Sequence, residues 1–249
     1  MNPIDDFKKE VFNNIKALGK DSILKKSTNE WIIKANKKKY SYNFSWFGRP
    51  IIQYPQDIIA LQEIIWDVKP DMIIETGIAH GGSLIFSASM LALLEICGEV
   101  ENGKVLGIDM DIREHNKKEI NKHPLSKKIT MFEGSSLDKV MIDKVYNFAK
   151  KGKKILVCLD SNHTHEHVLN ELKVYAPLVS VGSYCVVFDT IVEDMPKGTF
   201  KNRPWDKGNN PKTALKEYLK KHPEFEIDNS IHDKLLITVA PDGYLKKIK

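Results

Sequence analysis

The sequence is poor in cysteine and has no long apolar run. Its 249 residues include three cysteines, with no closely spaced pair among them. We therefore interpret Cys97, Cys158 and Cys185 as reduced core residues of a cytoplasmic protein. No run approaches the roughly 18 apolar residues of a membrane helix, and residues 1–20 lack the apolar region of a secretory signal.

The excess of positive over negative charge is also small. The net charge is +5, and the lysines form scattered clusters. A nucleic-acid-binding surface would show a basic stripe with interleaved aromatic residues. The sequence has none, so we expect no nucleic-acid partner. A solvated surface explains the lysines, and an anionic substrate is compatible with them.

From residue 72 onwards, short apolar segments alternate with amphipathic segments of helical length. This pattern predicts an α/β fold with a mostly parallel seven-stranded sheet and helices on both faces. Ligands bind at the carboxyl ends of the strands in such sheets. The predicted strands are 72–76, 105–108, 129–132, 155–159, 184–188, 225–227 and 235–239. The predicted helices between and after them are 83–97, 113–122, 137–150, 164–176 and 211–221.

The N-terminal part does not follow this alternation. Residues 3–19 have the apolar spacing of a helix, whereas residues 21–39 are polar and ambiguous. Residues 40–55 combine clustered aromatic residues with Gly and Pro, which indicates an irregular arm. We therefore divide the chain into an N-terminal helix and aromatic arm, residues 1–54, and a main domain, residues 55–249.

A glycine-rich turn follows the first predicted strand, and Glu75 lies at the end of that strand. Gly77, Gly81 and Gly82 punctuate the turn, and Ser83 opens the next helix. Glycines let a ligand approach the backbone, and the free N–H groups of the first helical turn face it. The stretch therefore predicts a ligand-binding site.

Asp109, at the end of the second strand, indicates the kind of ligand. A carboxylate there suits the two hydroxyls of a ribose, as in nicotinamide and S-adenosylmethionine sites. A dinucleotide site has G-x-G-x-x-G spacing, which this turn lacks. Glu75 would repel a pyrophosphate but is acceptable beside a sulfonium or an ammonium. These features favour S-adenosylmethionine; the alternative is that Glu75 is a helix-dipole partner with no ligand.

Ser135 and Ser136 follow the third strand and a glycine. Small hydroxyl residues at this position could contact the adenine edge of the cofactor. Either serine could also N-cap the next helix, and both roles stay open.

Two further strand ends carry the acids Asp160 and Asp189. If these strands are close in the sheet, the carboxylates converge on one hard cation, Mg²⁺ or Mn²⁺. Such an ion could acidify a substrate hydroxyl, and His163 could take the proton. His165 and His167 are more simply surface residues.

Two other interpretations of this acidic and histidine-rich stretch stay open. Asp160 could be a first-turn acid favoured by the helix dipole. Three histidines and an aspartate could form a non-haem iron site. That chemistry leaves Glu75 and Asp109 unexplained.

Two segments after the fifth strand are unusual for loops. Residues 189–196 are acidic, and residues 203–211 are rich in turn residues, with Asn210 as the predicted N-cap of a helix. Together they could cover the site as a lid. In that case Arg203 and Trp205 could contact a sugar or a phosphate, whereas a merely structural loop is the alternative.

Several motifs carry a resemblance to a known family. They are Ile73-Ile-Glu-Thr-Gly-Ile-Ala-His-Gly-Gly-Ser83, Gly107-Ile-Asp-Met-Asp111, Leu159-Asp-Ser-Asn-His-Thr-His-Glu-His167 and Val187-Phe-Asp-Thr190. With Trp46-Phe-Gly-Arg-Pro50 and the ending Leu235-Leu-Ile-Thr-Val-Ala-Pro-Asp-Gly-Tyr244, they resemble the cephalosporin hydroxylase / rhamnosyl O-methyltransferase family. The resemblance covers nearly all of the chain after Trp46. It implies the Rossmann-like class I fold of S-adenosylmethionine-dependent methyltransferases.

The resemblance also implies the residues of the site. It implies a cofactor site at Glu75, Gly77, Ser83 and Asp109, and a divalent metal held by Asp160 and Asp189. Together with the residue patterns above, the predicted cofactor-binding residues are Glu75, Gly77, Gly81, Ser83, Asp109, Ser135, Ser136 and Asp160. In the more distant magnesium-dependent macrolide-sugar O-methyltransferases, an acid is followed three residues later by a histidine base, and Asp160 and His163 match that pattern.

The chain departs from these relatives after the fifth strand. They place two adjacent acids there, whereas this chain has Asp189-Thr190, so one acid is missing. Glu193, Asp194 or water could supply the third metal ligand. Members of these groups are often oligomers with N-terminal arms, and the aromatic segment from Tyr40 to Pro50 suggests a partner surface.

These inferences predict a cytoplasmic, metal-dependent O-methyltransferase acting on a hydroxyl of a sugar, a nucleotide sugar, or a polysaccharide or natural-product precursor. Its expected cofactors are S-adenosylmethionine and Mg²⁺ or Mn²⁺, its catalytic residues are Asp160 and His163, and a homo-oligomer is expected. One alternative is an N-methyltransferase acting on a small amine or amide. Another is a non-catalytic module that keeps the fold and binds the cofactor.

Overall fold

The computed structural model describes residues 2–249. In chain order its helices and strands are α1 (Pro3–Lys20), α2 (Ser22–Asn36), β1 (Phe44–Trp46), β2 (Arg49–Ile51), α3 (Pro55–Val68), β3 (Met72–Thr76), α4 (Gly82–Ile96), β4 (Lys104–Asp109), α5 (Glu114–Lys122), β5 (Ile129–Glu133), α6 (Lys139–Ala149), β6 (Ile155–Leu159), α7 (His165–Tyr175), β7 (Tyr184–Val187), α8 (Pro211–Leu219), β8 (Phe225–Ile227), α9 (Asn229–Leu235) and β9 (Tyr244–Lys247). None of the described helices combines the length and the apolar character that crossing a membrane requires.

The central sheet contains seven strands in the order β5-β4-β3-β6-β7-β9-β8. The pairs from β5 to β7 are parallel, and β9 runs antiparallel to both β7 and β8. The predicted mostly parallel seven-stranded α/β sheet is therefore confirmed. From β3 the chain moves to one edge of the sheet through β4 and β5, and it then returns to the other side of β3 with β6 and β7. A reversal of this kind leaves a crevice at the carboxyl ends of β3 and β6.

The sheet is buried on both faces. Successive strand residues point to opposite sides, so Ile73 and Leu156 belong to the core on one face and Ile74 and Val157 to the core on the other. Every residue of β3 and β6 is buried. The carboxyl ends of the strands are consequently the edge at which a ligand can reach the sheet.

The predicted strand at residues 235–239 is wrong. Leu235 ends α9, and β9 is the last strand of the sheet. The apolar run instead folds over the start of α3, where the buried Asp57 carboxylate accepts hydrogen bonds from the Thr238 hydroxyl and, at 2.9 Å, from the Val239 N–H. Residues 238 and 239 bond to the Asp57 side chain and not to a neighbouring strand. The periodicity of the sequence does not reveal this arrangement.

Two other segments differ from expectation. The ambiguous polar segment forms α2, and Asp21 caps it by accepting from the Leu24 N–H at 2.8 Å. Cys97 is exposed at the end of α4, so it is not the core residue that was predicted, whereas Cys158 and Cys185 are buried in strands. All three thiols are free, as expected.

The hairpin β1–β2 packs against the N-terminal half of α4. Nε1 of Trp46 donates to the Ser89 hydroxyl at 3.0 Å, and the indole meets the Phe86 ring edge-on at 5.0 Å. A Cβ on Gly82 would lie 2.2 Å from the carbonyl oxygen of Pro50, so the close approach of hairpin and helix requires glycine there. The aromatic arm is thus folded onto its own chain beside the glycine turn.

Candidate active site

The ends of β6 and β7 bring two carboxylates together. The strands are parallel neighbours, with Leu159 paired to Val187, so Asp160 and Asp189 follow at the same edge. One carboxylate oxygen of each and a ring nitrogen of His163 lie within 4.8 Å of one another. We call these three residues the carboxylate–histidine group. Residues 2–249 contain no other cluster of this kind.

Asp189 has an unusual backbone conformation. Its φ of +54° lies in the left-handed region, which few residues other than Gly, Asn and Asp adopt. This residue lies two positions after β7, and its Oδ2 lies 3.2 Å from Nε2 of His163. Backbone strain of this kind is concentrated at functional sites.

The two acids considered for a third metal ligand are engaged elsewhere. Glu193 accepts a hydrogen bond from the Asn210 side chain at 2.5 Å, and Asp194 forms an ion pair with Lys212 at 2.7 Å. The third side chain beside the two aspartates is therefore His163.

Asp160 lies in a strongly negative environment. Burial raises the pKa of its carboxyl well above the usual range, and the carboxylates of Asp189, Glu75 and Glu171 add to this rise. Two carboxylates and an imidazole nitrogen form a donor set that suits a hard divalent cation such as Mg²⁺ or Mn²⁺. The residues present therefore fit a metal ion.

The glycine turn between β3 and α4 lies against Asp160. Gly77 has a φ of +92°, and a Cβ there would lie 2.0 Å from the carbonyl oxygen of Asp160. Gly81, with a φ of +80°, precedes the first residue of α4. The predicted cofactor turn and the carboxylate–histidine group consequently share one edge of the sheet.

Two side chains that were not predicted as site residues fix this turn. Arg49 donates to the His80 carbonyl through Nε at 3.0 Å and Nη2 at 2.7 Å, and to Oδ1 of Asn116 at 2.9 Å. Asn116 donates to the Ala79 carbonyl at 3.0 Å. The sequence marks Arg49 only through the Trp46–Pro50 motif of the resemblance, and it carries no signal for Asn116.

Asp109 also shapes the turn. Its Oδ2 accepts from the N–H groups of Ile78 at 2.8 Å and Ala79 at 3.2 Å, and its Oδ1 accepts from the Asp111 N–H at 3.2 Å. A carboxylate offers about four acceptor positions, so Oδ1 has capacity for a further donor.

Glu75 and Ser83 are hydrogen-bonded to each other. The Ser83 hydroxyl donates to Oε1 of Glu75, which joins β3 to the first turn of α4. Glu75 is 3% exposed, and burial raises its pKa to about 7 against the opposing effect of that hydrogen bond. A cation beside Glu75 would return this carboxyl to its charged form.

Gln53 is a further residue that the sequence did not single out. Its Nε2 donates to Oδ2 of Asp160 at 3.3 Å, while its buried Oε1 has no hydrogen-bond partner among the described residues. Gln53, the glycine turn and Ser83 line a cavity of about 40 Å³. An unpaired buried oxygen is unfavourable unless a donor reaches it, and the ammonium of S-adenosylmethionine is such a donor. The residues present therefore fit the amino-acid end of this cofactor.

The alternative that Ser135 or Ser136 caps α6 is wrong, because Asp138 takes the N-cap position. Ser136 is buried, and its Oγ lies 3.4 Å from Nε2 of His167. His167, which was expected on the surface, is half-buried and also lies 3.1 Å from Oγ of Ser161. Contact of either predicted serine with an adenine stays a prediction.

A cleft of about 640 Å³ opens above the carboxylate–histidine group. Its walls come from the end of α2, from residues 39–42 and from residues 191–205. The Trp205 ring meets the His163 ring edge-on at 4.7 Å. The cleft has the size of a small-molecule site, and part of the predicted lid forms one of its walls.

The helix after this wall begins as predicted. Asn210 is the N-cap of α8 and forms a capping box with Thr213. Nδ1 of His165 lies 2.8 Å from Oγ1 of Thr213. His165, also expected on the surface, thus connects α7 to α8 and lies outside the carboxylate–histidine group.

Comparison with known proteins gives a family match over most of the chain. Residues 38–248 match the model of the family described as Rhamnosyl O-methyltransferase/CmcI. Among curated proteins, the rhamnosyl O-methyltransferase of Mycobacterium tuberculosis is 28% identical over 194 residues, covering 76% of this chain and 72% of the relative. That of Mycobacterium leprae is 26% identical over 204 residues, covering 81% and 82%.

Solved structures share the fold at low sequence identity. An apo form of CmcI has a TM-score of 0.57 at 20% identity, covering 84% of this chain and 77% of that chain. CmcI with magnesium and S-adenosylmethionine has a TM-score of 0.55 at 18% identity, covering 84% and 78%. MycE with magnesium, S-adenosylhomocysteine and mycinamycin VI has a TM-score of 0.51 at 14% identity, covering 88% and 54%. The predicted Rossmann-like class I methyltransferase fold is confirmed.

Proposed function

The chain belongs to the rhamnosyl O-methyltransferase/CmcI family, and we propose that it transfers a methyl group from S-adenosylmethionine to a hydroxyl of a sugar or a sugar-containing precursor. Family membership supports an S-adenosylmethionine-dependent methyltransferase, and the magnesium-bound CmcI and MycE structures support a metal-assisted reaction. The observation that carries the proposal is the convergence of Asp160, His163 and Asp189 beside the glycine turn. The mycobacterial relatives are named for a rhamnosyl acceptor, which supports a sugar acceptor here.

The carboxylate–histidine group supplies the chemistry at the acceptor. A divalent cation held by Asp160 and Asp189 would lower the pKa of the acceptor hydroxyl, and S-adenosylmethionine would supply the methyl group. His163 accepts the hydroxyl proton through its imidazole, and the contact of 3.2 Å with Asp189 orients the ring. Trp205 packs edge-on against the same imidazole and helps to hold it in place. Holding the acceptor in line with the methyl group supplies much of the acceleration.

The glycine turn and its neighbours hold the cofactor in this proposal. Asp109 binds the ribose hydroxyls through Oδ1, which accepts one backbone hydrogen bond. Gln53 accepts from the cofactor's ammonium through its unpaired Oε1. The other proposed cofactor-binding residues are Glu75, Gly77, Gly81, Ser83, Ser135, Ser136 and Asp160.

A methyl-transfer screen tests the proposed function. The purified protein is incubated with Mg²⁺, S-adenosylmethionine and a panel of glycosides, nucleotide sugars and amino sugars, and mass spectrometry scores the gain of one methyl group. The expected result is O-methylation of a sugar hydroxyl. Transfer only to an amine would identify an N-methyltransferase, and cofactor binding without transfer to any acceptor would identify a binding module.

We further propose that residues 1–54 form an arm and that the chain acts as a homo-oligomer. Ile4, Phe7 and Phe12 of α1 are between 55% and 64% exposed, and a second copy would cover them. Sedimentation of the wild type and of a Phe7→Glu/Phe12→Glu variant tests this, with dissociation of the variant as the expected result. A cytoplasmic location is part of the same proposal, and the three free thiols support it.

A further inference from the structure

The charges that line the cleft are divided between its base and its rim. Asp160 and Asp189 are its acidic residues and lie at the base. Its cationic residues are Lys37 and Lys39, which follow α2, and Arg203, which belongs to residues 191–205. No other acidic side chain among the described residues lines the cleft. The rim is therefore positive, whereas the base is negative.

The rim cations have no anionic partner of their own. Among residues 2–249, Lys37, Lys39 and Arg203 form no ion pair within 4.0 Å, although thirteen such pairs occur elsewhere. All three side chains are exposed. Unpaired cations beside a cleft attract an anion, and an arginine can bind a phosphate or a carboxylate through two hydrogen bonds.

Trp205 links the rim to the base and sets the distance between them. The Arg203 guanidinium lies 5.2 Å from the centre of the Trp205 ring, and the His163 ring lies 4.7 Å from it. The guanidinium is therefore no more than about 10 Å from the imidazole. One monosaccharide with an attached phosphate or carboxylate can span a separation within this upper limit, and an indole is a suitable surface for a sugar ring.

We propose that the acceptor is an anionic sugar, whose hydroxyl lies at the carboxylate–histidine group and whose phosphate or carboxylate is bound by Arg203 and Lys39. This inference rests on the proposed function and adds the charge of the substrate to it. Arg203 and Lys39 are specificity-determining residues in this arrangement, and Trp205 supports the sugar between the two ends. A neutral acceptor would leave the rim cations without a partner.

The lysine run at the end of α2 provides a matched control. Lys37 and Lys39 line the cleft, whereas Lys38 between them does not. Lys39 adopts a left-handed backbone conformation with a φ of +52°, which redirects the chain at this point. Lys201 serves in the same way for Arg203, because it lies in the same exposed segment and does not line the cleft.

Equilibrium binding tests the inference without methyl transfer. Calorimetry in Mg²⁺ and S-adenosylhomocysteine compares the 1-phosphates of glucose, galactose, mannose and rhamnose with the matching methyl glycosides. Glucuronic and galacturonic acids form a second arm that separates recognition of a carboxylate from recognition of a phosphate. We expect at least one anionic sugar to bind about tenfold or more tightly than its neutral counterpart.

Substituted variants show which residues cause the preference for anionic sugars. In Lys39→Gln/Arg203→Gln the advantage of the anionic sugar falls to about twofold or less, whereas Lys38→Gln/Lys201→Gln keeps it. Equal binding of anionic and neutral sugars by the wild type overturns the inference, as does failure of every anionic sugar to bind. A preference that survives the double substitution also overturns it, because the anion then binds elsewhere, including at the metal ion. A rim-dependent preference in a protein that methylates nothing would contradict the proposed function alone.

Discussion

Nε2 of His163 lies 3.2 Å from Oδ2 of Asp189. The two residues follow neighbouring parallel strands, and Asp189 reaches this position through a left-handed backbone conformation. A proton acceptor and a proposed metal ligand are therefore in direct contact. In this position His163 can act either as the base that takes the acceptor's proton or as a ligand of the metal ion.

Replacing His163 by Ala separates these two roles. If His163 is the base, we expect turnover to fall by about a hundredfold or more, while calorimetry shows Mg²⁺ or Mn²⁺ still bound. His115→Ala, on the exposed side of α5, is the matched control and should leave both quantities unchanged. Loss of metal affinity in His163→Ala would make His163 a ligand, and an unchanged rate would remove it from the chemistry.

Replacing Gln53 by Leu tests the proposed contact with the cofactor's amino-acid part. Oε1 of Gln53 is buried without a partner, and a hydrogen bond to a charged donor contributes about 1.5–3 kcal/mol. We expect S-adenosylhomocysteine to bind about tenfold more weakly to Gln53→Leu. Methylthioadenosine, which lacks the amino-acid part, should bind both proteins alike. Gln62→Leu, on the exposed side of α3, is the control, and equal weakening of both ligands would show that Gln53 does not contact the ammonium.

Replacing Arg49 by Gln tests whether the aromatic arm holds the glycine turn. Arg49 donates three hydrogen bonds, two of them to the His80 carbonyl. The variant should show faster hydrogen exchange in residues 77–82 and about tenfold weaker cofactor binding. Arg113→Gln, an exposed substitution, should change neither. Unchanged exchange in the turn would mean that the arm covers the turn without holding it.

Much of the sheet was predictable because buried strands and amphipathic helices have distinct periods. The ends of β3, β4, β6 and β7 were placed to within about two residues, so the strand-end acids could be located before the structure was known. The last strand was misplaced, because the apolar run at residues 235–239 contacts the Asp57 carboxylate and does not join the sheet. Partners that are distant in sequence leave no periodic signal.

The same limit applies to the candidate site. Asp160, His163 and Asp189 were predicted because they follow strands, and the structure brings them within 4.8 Å of one another. Gln53 and Arg49 precede the sheet in sequence and reach the site only because the hairpin folds back onto α4. No local pattern distinguishes such residues from ordinary polar residues of an irregular segment.

Asp57 gives the free energy of unfolding a specific pH dependence. Burial raises its pKa from 3.8 to about 6, although hydrogen bonds from Thr238, Tyr244 and Val239 oppose the rise. Between about pH 4 and pH 6 the folded chain therefore holds a proton that the unfolded chain has lost, so stability falls as the pH rises. A shift of this size corresponds to about 3 kcal/mol.

Chemical denaturation between pH 4 and pH 7, in the presence of a chelator, measures this effect. Asp57→Asn should be less stable than the wild type at low pH, because a hydrogen-bond acceptor is lost, but its stability should depend less on pH. Asp143→Asn, an exposed substitution on α6, should keep the slope of the wild type. Parallel curves for wild type and Asp57→Asn would show that Asp57 does not titrate in this range.

The central claim is that methyl transfer requires a divalent cation held by Asp160 and Asp189. The most direct measurement is the rate of acceptor methylation by the wild type and by Asp160→Asn, with Mg²⁺, in excess EDTA and after Mg²⁺ is restored, with cofactor affinity measured in parallel. We expect EDTA to abolish transfer, Mg²⁺ to restore it, and Asp160→Asn to lower the rate by about a hundredfold or more. Cofactor affinity should change little in this variant, because the asparagine amide keeps an oxygen at the position of the Asp160 carboxylate. Full turnover in excess EDTA, or in Asp160→Asn, would contradict the claim.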